Sequence, residues 1–157
     1  MALVQDTDRS TLEHTEEVAR GSAQNVQTIR RSYEAFGRGD IPAVLAMLDE
    51  GVEWNMAEHH TFWPGGSFIG PQAVVEGVFM QIMQTFDGFT VSVDRIVGCG
   101  DTVLAQLRYR GVTRATGKTL DAQAAHIFDF NDGKVVRYQQ YSDTLQFADV
   151  TGVAPGE

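Results

Sequence analysis

A single cysteine, Cys99, is the only thiol in the 157 residues. It excludes an intrachain disulfide and any metal site built from several cysteines. Long apolar runs are lacking too, so no segment is read as crossing a membrane. The opening MALVQDTDRSTLEHTEEVARGS has neither a basic region nor an apolar core. No secretory signal is therefore expected, and the cytoplasm is the expected location. Positive charge is scarce: 12 Lys and Arg stand against 21 Asp and Glu, a net charge of −9. Nucleic acid and anionic membrane surfaces both need a basic footprint, so neither is an expected partner. That charge says little about a small neutral ligand. No linker or internal repeat divides the chain, so one domain is expected over residues 22–150. A polar N-terminal extension, 1–21, precedes it, with a short helix possible around Thr11–Arg20, and a tail, 151–157, comes after it.

What is present centres on Thr116 to Asp143. This stretch reads as two strands joined by a tight turn at Asn131-Asp132-Gly133, residue types that tolerate positive backbone angles. On the first strand Leu120, Ala122, Ala124, His126, Phe128 and Phe130 share one face. That face is apolar except for one histidine, which makes His126 the most informative residue. Asp121, Gln123, Ala125, Ile127 and Asp129 form the other face.

Upstream, Ser22 is the expected N-cap of a helix to about Arg38, with Val26, Ile29, Tyr33 and Phe36 as its buried side. Asp40 is expected to cap a second helix that buries Val44, Leu45 and Leu48 and ends at Gly51. Val52–Met56 reads as a strand, with Glu53 and Asn55 on one side and Trp54 and Met56 on the other. An aromatic loop, EHHTFWPGGSFIG, comes next, and Pro71 opens a third helix with Val74, Val75, Val78, Phe79, Ile82 and Met83 apolar. Phe89–Val97 and Thr102–Arg110 complete the strands, and in the latter Val103, Ala105, Leu107 and Tyr109 share one face. Strands joined by short turns pair antiparallel. The fold expected is α+β: a cone-shaped barrel in which a curved antiparallel sheet wraps around three helices from the N-terminal half and leaves an internal apolar pocket.

Several short stretches, in this order, resemble the nuclear-transport-factor-2-like superfamily and its SnoaL-like, ketosteroid-isomerase-related group. They are Tyr33 to Asp40, Val52 to Asn55, Gly70-Pro71, Thr116 to Lys118, His126 to Phe130, Asp132 to Val135 and Tyr141 to Asp143. The likeness runs from about Gln24 to Asp149. It implies a deep apolar pocket, cofactor-free chemistry where there is chemistry, and homodimers paired through the sheet. In the steroid isomerases an aspartate on the first strand moves the proton. Asn55 matches that position, and an amide has no proton to shuttle. A neutral aspartic acid donates to the oxyanion there, and His126 matches it. Tyr33 falls one helix residue from the family's oxyanion tyrosine. The Asp-Arg-Asp relay of the epoxide hydrolases is broken here: its second aspartate falls near Gln140, and its strand-three arginine and aspartate have only Arg108 and Arg110 near them. Asp121 lies on the strand that carries the polyketide cyclases' acid–base residue, but on the face opposite His126.

The candidate catalytic residues are therefore His126, Asn55 and Glu53: His126 and Asn55 as donors to an oxygen, and Glu53 as base. Candidate pocket residues are Tyr33, Trp63, Phe79, Met83, Arg108, Phe128, Tyr138 and Gln140. Each also has a plain reading as core or exposed strand. Glu58-His59-His60 lacks the spacing of a metal site, since adjacent side chains on an extended segment point apart, and no metal or cofactor is expected. The partner expected is a small, largely apolar organic molecule. Three activities stay open: cofactor-free isomerase, cyclase, lyase or hydrolase chemistry, ligand binding without turnover, and a protein-interaction module of the same fold.

Overall fold

The organising hairpin forms as the sequence predicts. The structure, a computed structural model, describes residues 3–154. Strands β5 (Thr119–Asn131) and β6 (Lys134–Ser142) pair antiparallel, with Asn131 opposite Lys134. Asp132 and Gly133 between them have φ of +47° and +74°. Those angles suit the right-handed twist of the two strands. Strand β4 (Thr102–Thr113) flanks β5, and β3 (Phe86–Cys99) flanks β4, both antiparallel. On the far side β1 (Leu48–Asn55) runs parallel to β6, and the short β2 (Phe68–Ile69) pairs antiparallel with β1. The order β2-β1-β6-β5-β4-β3 is a six-stranded, curved and unclosed sheet. Register shifts between Asp87 and Thr90 and between Val93 and Arg95 interrupt the β3–β4 ladder. Bulges of this kind add twist and bend a sheet over the helices.

Helix α1 (Leu3–Gly37) is one continuous helix. Ser22 is therefore an interior residue and not a cap. A glycine such as Gly21 inside a helix costs only about 1 kcal/mol relative to alanine, too little to end one whose later turns are packed. Those turns bury Asn25, Ile29, Ser32 and Ala35 against the sheet. Gly98 on β3 leaves room for the helix: a β-carbon there would stand 2.2 Å from Ser22 Oγ. Asp40 caps α2 (Ile41–Leu45) as expected, accepting from Ala43 N–H at 3.2 Å. The helix is shorter than predicted, because Leu48 already begins β1 and Gly51 lies within that strand.

Pro71 opens α3 (Pro71–Val74), which runs through a π-helical stretch, Val75–Phe79, into α4 (Met80–Thr85). Helix α5 (Thr144–Thr151) is capped by Asp143, which accepts from Gln146 N–H at 3.0 Å, and it brings Phe147 under the sheet. The core lies between the concave face of the sheet and these helices. Leu120, Ala122, Ala124, His126, Phe128 and Phe130 are all buried there, beside Val103, Ala105, Leu107 and Tyr109 of β4. Among the described residues no helix is long and apolar enough to cross a membrane.

Candidate functional site

The concave face of the sheet and the helices enclose a cavity of about 70 Å³. Its wall is mostly aromatic and aliphatic, with Phe36, Trp54, Phe79, Phe128 and Phe147 prominent. The register explains why polar groups meet in it. His126 lies directly opposite Gln140 on β6 and Ala105 on β4. Ala122 and Ala124 keep the same face shallow, so the Tyr109 ring can reach along the strands to His126.

Three side chains then join in series, His126 and Tyr109 buried and Tyr33 half-buried. The Tyr33 hydroxyl, carried by α1, is 2.7 Å from His126 Nδ1. The Tyr109 hydroxyl is hydrogen-bonded to His126 Nε2. The Tyr138 ring meets that of His126 edge-on, with centroids 5.0 Å apart. Gln140 Nε2 donates to the Tyr109 oxygen at 3.0 Å. The Gln140 amide is held in that orientation because Ala57 N–H donates to its Oε1 at 3.3 Å.

Electrostatics keep this chain neutral. Burial lowers the His126 pKa to about 3, so the imidazole is uncharged at neutral pH. Burial also pushes the phenols of Tyr33, Tyr109 and Tyr138 above their ordinary range. A neutral imidazole has one N–H and one lone pair, so one tyrosine donates to it and the other accepts from it. Tyr109 already accepts from Gln140. If Tyr109 donates to His126, then His126 donates to Tyr33, and the Tyr33 hydrogen is left over. If His126 donates to Tyr109, then Tyr33 donates to His126, and the Tyr109 hydrogen is left over. Three hydrogens serve two bonds in both cases. One hydroxyl hydrogen always stays free to be given to an oxygen in the cavity.

Tyr33, Phe79, Phe128, Tyr138 and Gln140 thus line the cavity with His126. Five other expected site residues need correcting. Glu53 and Asn55 lie on the outer face of β1, because the strand turns Trp54 and Met56 inward. Asn55 Nδ2 donates to Glu53 Oε1 at 3.1 Å and to the Tyr138 carbonyl at 3.2 Å, and Ser67 Oγ donates to Asn55 Oδ1 at 2.6 Å. Arg108 also points outward, paired with Asp121 at 3.1 Å. Met83 is 59% exposed. The π-helical stretch adds a residue to its turn and rotates the turn after it, so Ile82 meets the cavity and Met83 faces solvent. Trp63 borders a separate outer groove with Asn55, Ser67 and Tyr141.

Four polar residues of the cavity are not among the site residues expected from the sequence: Ser32, Tyr109, Trp54 and His60. Tyr109 is legible, since it shares the inward parity of Val103, Ala105 and Leu107. Trp54 is legible as the inward neighbour of Glu53 and Asn55. His60 sits in a loop, where no periodicity announces a direction. Among the described residues no group of three or more His, Cys, Asp or Glu side chains is placed to hold a metal ion.

Comparisons with known proteins agree with this architecture. An NTF2-like protein from Burkholderia thailandensis is 30% identical, with a TM-score of 0.76 over 80% of this chain and 95% of that one. An NTF2-like protein of unknown function from Burkholderia pseudomallei is 24% identical, with a TM-score of 0.75 over 82% of this chain and 97% of that one. A candidate SnoaL-like polyketide cyclase from Jannaschia sp. shares the fold at 20% identity, with a TM-score of 0.72 over 86% and 96% of the two chains. No curated protein matches the sequence. The family model of the SnoaL-like domain matches residues 29–138, and with that match the chain belongs to the SnoaL-like family of NTF2-like proteins.

Proposed function

We propose that this protein binds a small, largely apolar organic molecule in the cavity and donates a hydrogen bond to an oxygen of it. The observation that carries this reading is the hydroxyl hydrogen left over by the Tyr33–His126–Tyr109 chain, in a largely apolar cavity. Pockets that bind organic ligands have this character: apolar walls and a few convergent polar groups. Size limits the ligand. At about 70 Å³ the cavity is roughly half the ~150 Å³ that holds benzene in an apolar protein cavity. Single-ring ligands therefore fit with modest side-chain movement, and multi-ring ligands need the aromatic wall to open.

Cofactor-free isomerisation, cyclisation or hydration is the chemistry that such a site favours where turnover accompanies binding. Fold neighbours described as candidate polyketide cyclases are in keeping with that. The donor end supplies the polarising half of such a reaction. No carboxylate is among the described residues lining the cavity, so proton removal would fall to the neutral imidazole or to the ligand itself. Binding is for that reason the primary reading.

The test is a fluorescence titration with phenolic and steroid-like ligands graded by size, using Trp54 in the cavity wall as reporter. Saturable binding weakened about tenfold by Tyr33→Phe and by His126→Ala is expected, the worth of one good hydrogen bond. Equal binding by all three proteins would remove the histidine chain from the site. Each ligand that binds is then checked by NMR for chemical change.

We also propose a homodimer through the outer face of the sheet, where Leu104, Tyr141 and Leu145 are exposed apolar residues on or beside β4 and β6, the strands either side of β5. Sedimentation of wild type and Leu104→Asp at micromolar concentration tests it. A monomeric wild type would end the idea.

A further inference from the structure

We propose that Trp54 and His60 form a second hydrogen-donating pole in the same cavity, built to hold an uncharged carbonyl oxygen of the bound molecule. The inference rests on the reading that the cavity binds a small organic ligand, and it specifies the chemistry of that ligand.

Both side chains line the cavity and are nearly inaccessible, Trp54 at 5% and His60 at 1% exposure. Neither Trp54 Nε1 nor His60 Nε2 has a hydrogen-bond partner. Buried polar groups are almost always paired, so two orphans in one apolar cavity call for an explanation. Neither ring is free to turn away. Trp54 is stacked on Tyr138 with centroids 3.6 Å apart and meets Phe79 edge-on at 6.0 Å. The His60 ring is packed against Phe147 at 4.3 Å and Phe62 at 5.3 Å.

Both orphans are donors. An indole nitrogen can only donate. In His60, Phe62 N–H donates to Nδ1 at 3.1 Å, which uses the ring's lone pair there. The ring's one hydrogen therefore sits on Nε2. Burial lowers the His60 pKa to about 4, so it is not a cation at neutral pH. The matching group brings lone pairs and no hydrogen of its own. An amine or alcohol would bring a hydrogen that needs an acceptor, and neither nitrogen of this pole supplies one. A carboxylate would enter a site with no cation among the described residues that line it, in a chain of net charge −9. A carbonyl oxygen satisfies both donors without bringing a charge or an unmet hydrogen. Together with the hydroxyl at the His126 end, the cavity offers donors at two places, so its preferred ligand is a ketone, quinone-type or ester compound and not a polyol.

The experiment uses the full ¹⁵N-labelled chain and three probes: cyclohexanone, cyclohexane-1,4-dione and methylcyclohexane. The Trp54 indole N–H is identified by loss of the other indole signal in Trp63→Phe. The ketones are expected to move the Trp54 Nε1–H and His60 Nε2–H resonances downfield in a saturable way, and methylcyclohexane is not. Trp54→Phe keeps the aromatic stack, and His60→Asn keeps an acceptor for Phe62 N–H. Each is expected to weaken ketone binding about tenfold, the loss of one donor. Unchanged His126 ring signals in the free variants confirm that they are folded. If ketones shift the His126 ring signals but leave both N–H signals alone, the second pole is refuted while the cavity stands. A water held on both N–H groups that persists with ketone bound refutes it equally. If no probe shifts any cavity signal, the binding reading itself has failed and this inference goes with it.

Discussion

Tyr138 and Tyr141 lie on the same strand, β6, and have opposite surroundings. Tyr138 points inward, where its ring stacks on Trp54 at 3.6 Å and meets His126 edge-on at 5.0 Å. Tyr141 is 57% exposed on the outer face. The same contrast separates the polar residues of β5 from those of β1. His126 is a polar residue on an apolar face, enclosed by rings. Glu53 and Asn55 are polar residues on a polar face, bonded to each other and to Ser67. A polar side chain therefore marks a site when it breaks the parity of its strand. It marks only a solvated surface when it keeps to that parity.

The widest contrast is in stability. Tyr138→Ala removes a buried ring and is expected to cost about 3–5 kcal/mol, while Tyr141→Ala stays within about 0.5 kcal/mol in the monomer. Urea unfolding of both variants at low protein concentration measures this. Comparable losses would mean that the two faces are not inside and outside.

That parity is readable in the sequence for β4 and β5, and the reason is local. Alternation over β5 is unbroken against β4 from Thr119 to Asp129, so each residue keeps the face that its number predicts. The turn is readable because Asp132 and Gly133 accept positive φ. The β1 site misleads for a different reason. Both faces of that strand are visible in the sequence, but Glu53 and Asn55 have the more reactive chemistry, and the inward group is the indole of Trp54. Met83 misleads because helical spacing carries no sign of a π-helical stretch. Ser22 gives a false start to the first helix because capping residue types also occur inside helices. The buried pairing of His126 with Tyr109 depends on contacts between strands, which no single segment encodes.

A smaller effect separates the inner histidines from an ordinary solvated one. His126 and His60 have pKa values lowered to about 3 and about 4 by burial. Above about pH 6.5 both rings are neutral folded or unfolded, and they add no pH dependence. As pH falls below that value, the unfolded chain takes up protons that the folded chain refuses, and stability drops until the folded pKa is reached. By pH 5 the loss is about 2 kcal/mol for each histidine. Unfolding free energies at pH 7 and pH 5 should therefore differ by about 2 kcal/mol less in His126→Gln than in wild type. An unchanged difference would mean that the His126 ring is not held neutral by burial.

The smallest expected effect is the sharpest check on the outer face. Asp121 sits on the strand of His126 but points the other way, toward Arg108 at 3.1 Å and Arg110 at 3.3 Å. All three side chains are well exposed, and exposed ion pairs contribute between nothing and about 1 kcal/mol. Asp121→Asn keeps the shape and removes the charge. It is expected to change stability by less than about 0.5 kcal/mol and to leave ligand affinity unchanged, whereas Tyr33→Phe, with no charge lost, weakens binding. The two substitutions together ask whether function tracks charge or tracks the inward face. If Asp121→Asn abolished binding while Tyr33→Phe did not, the working carboxylate would lie on the outer surface, and the chemistry would have to be sought across the sheet from the cavity. With the register of β5 unbroken between these residues, the geometry gives Asp121 no route inward, and the inward face is where the effect belongs.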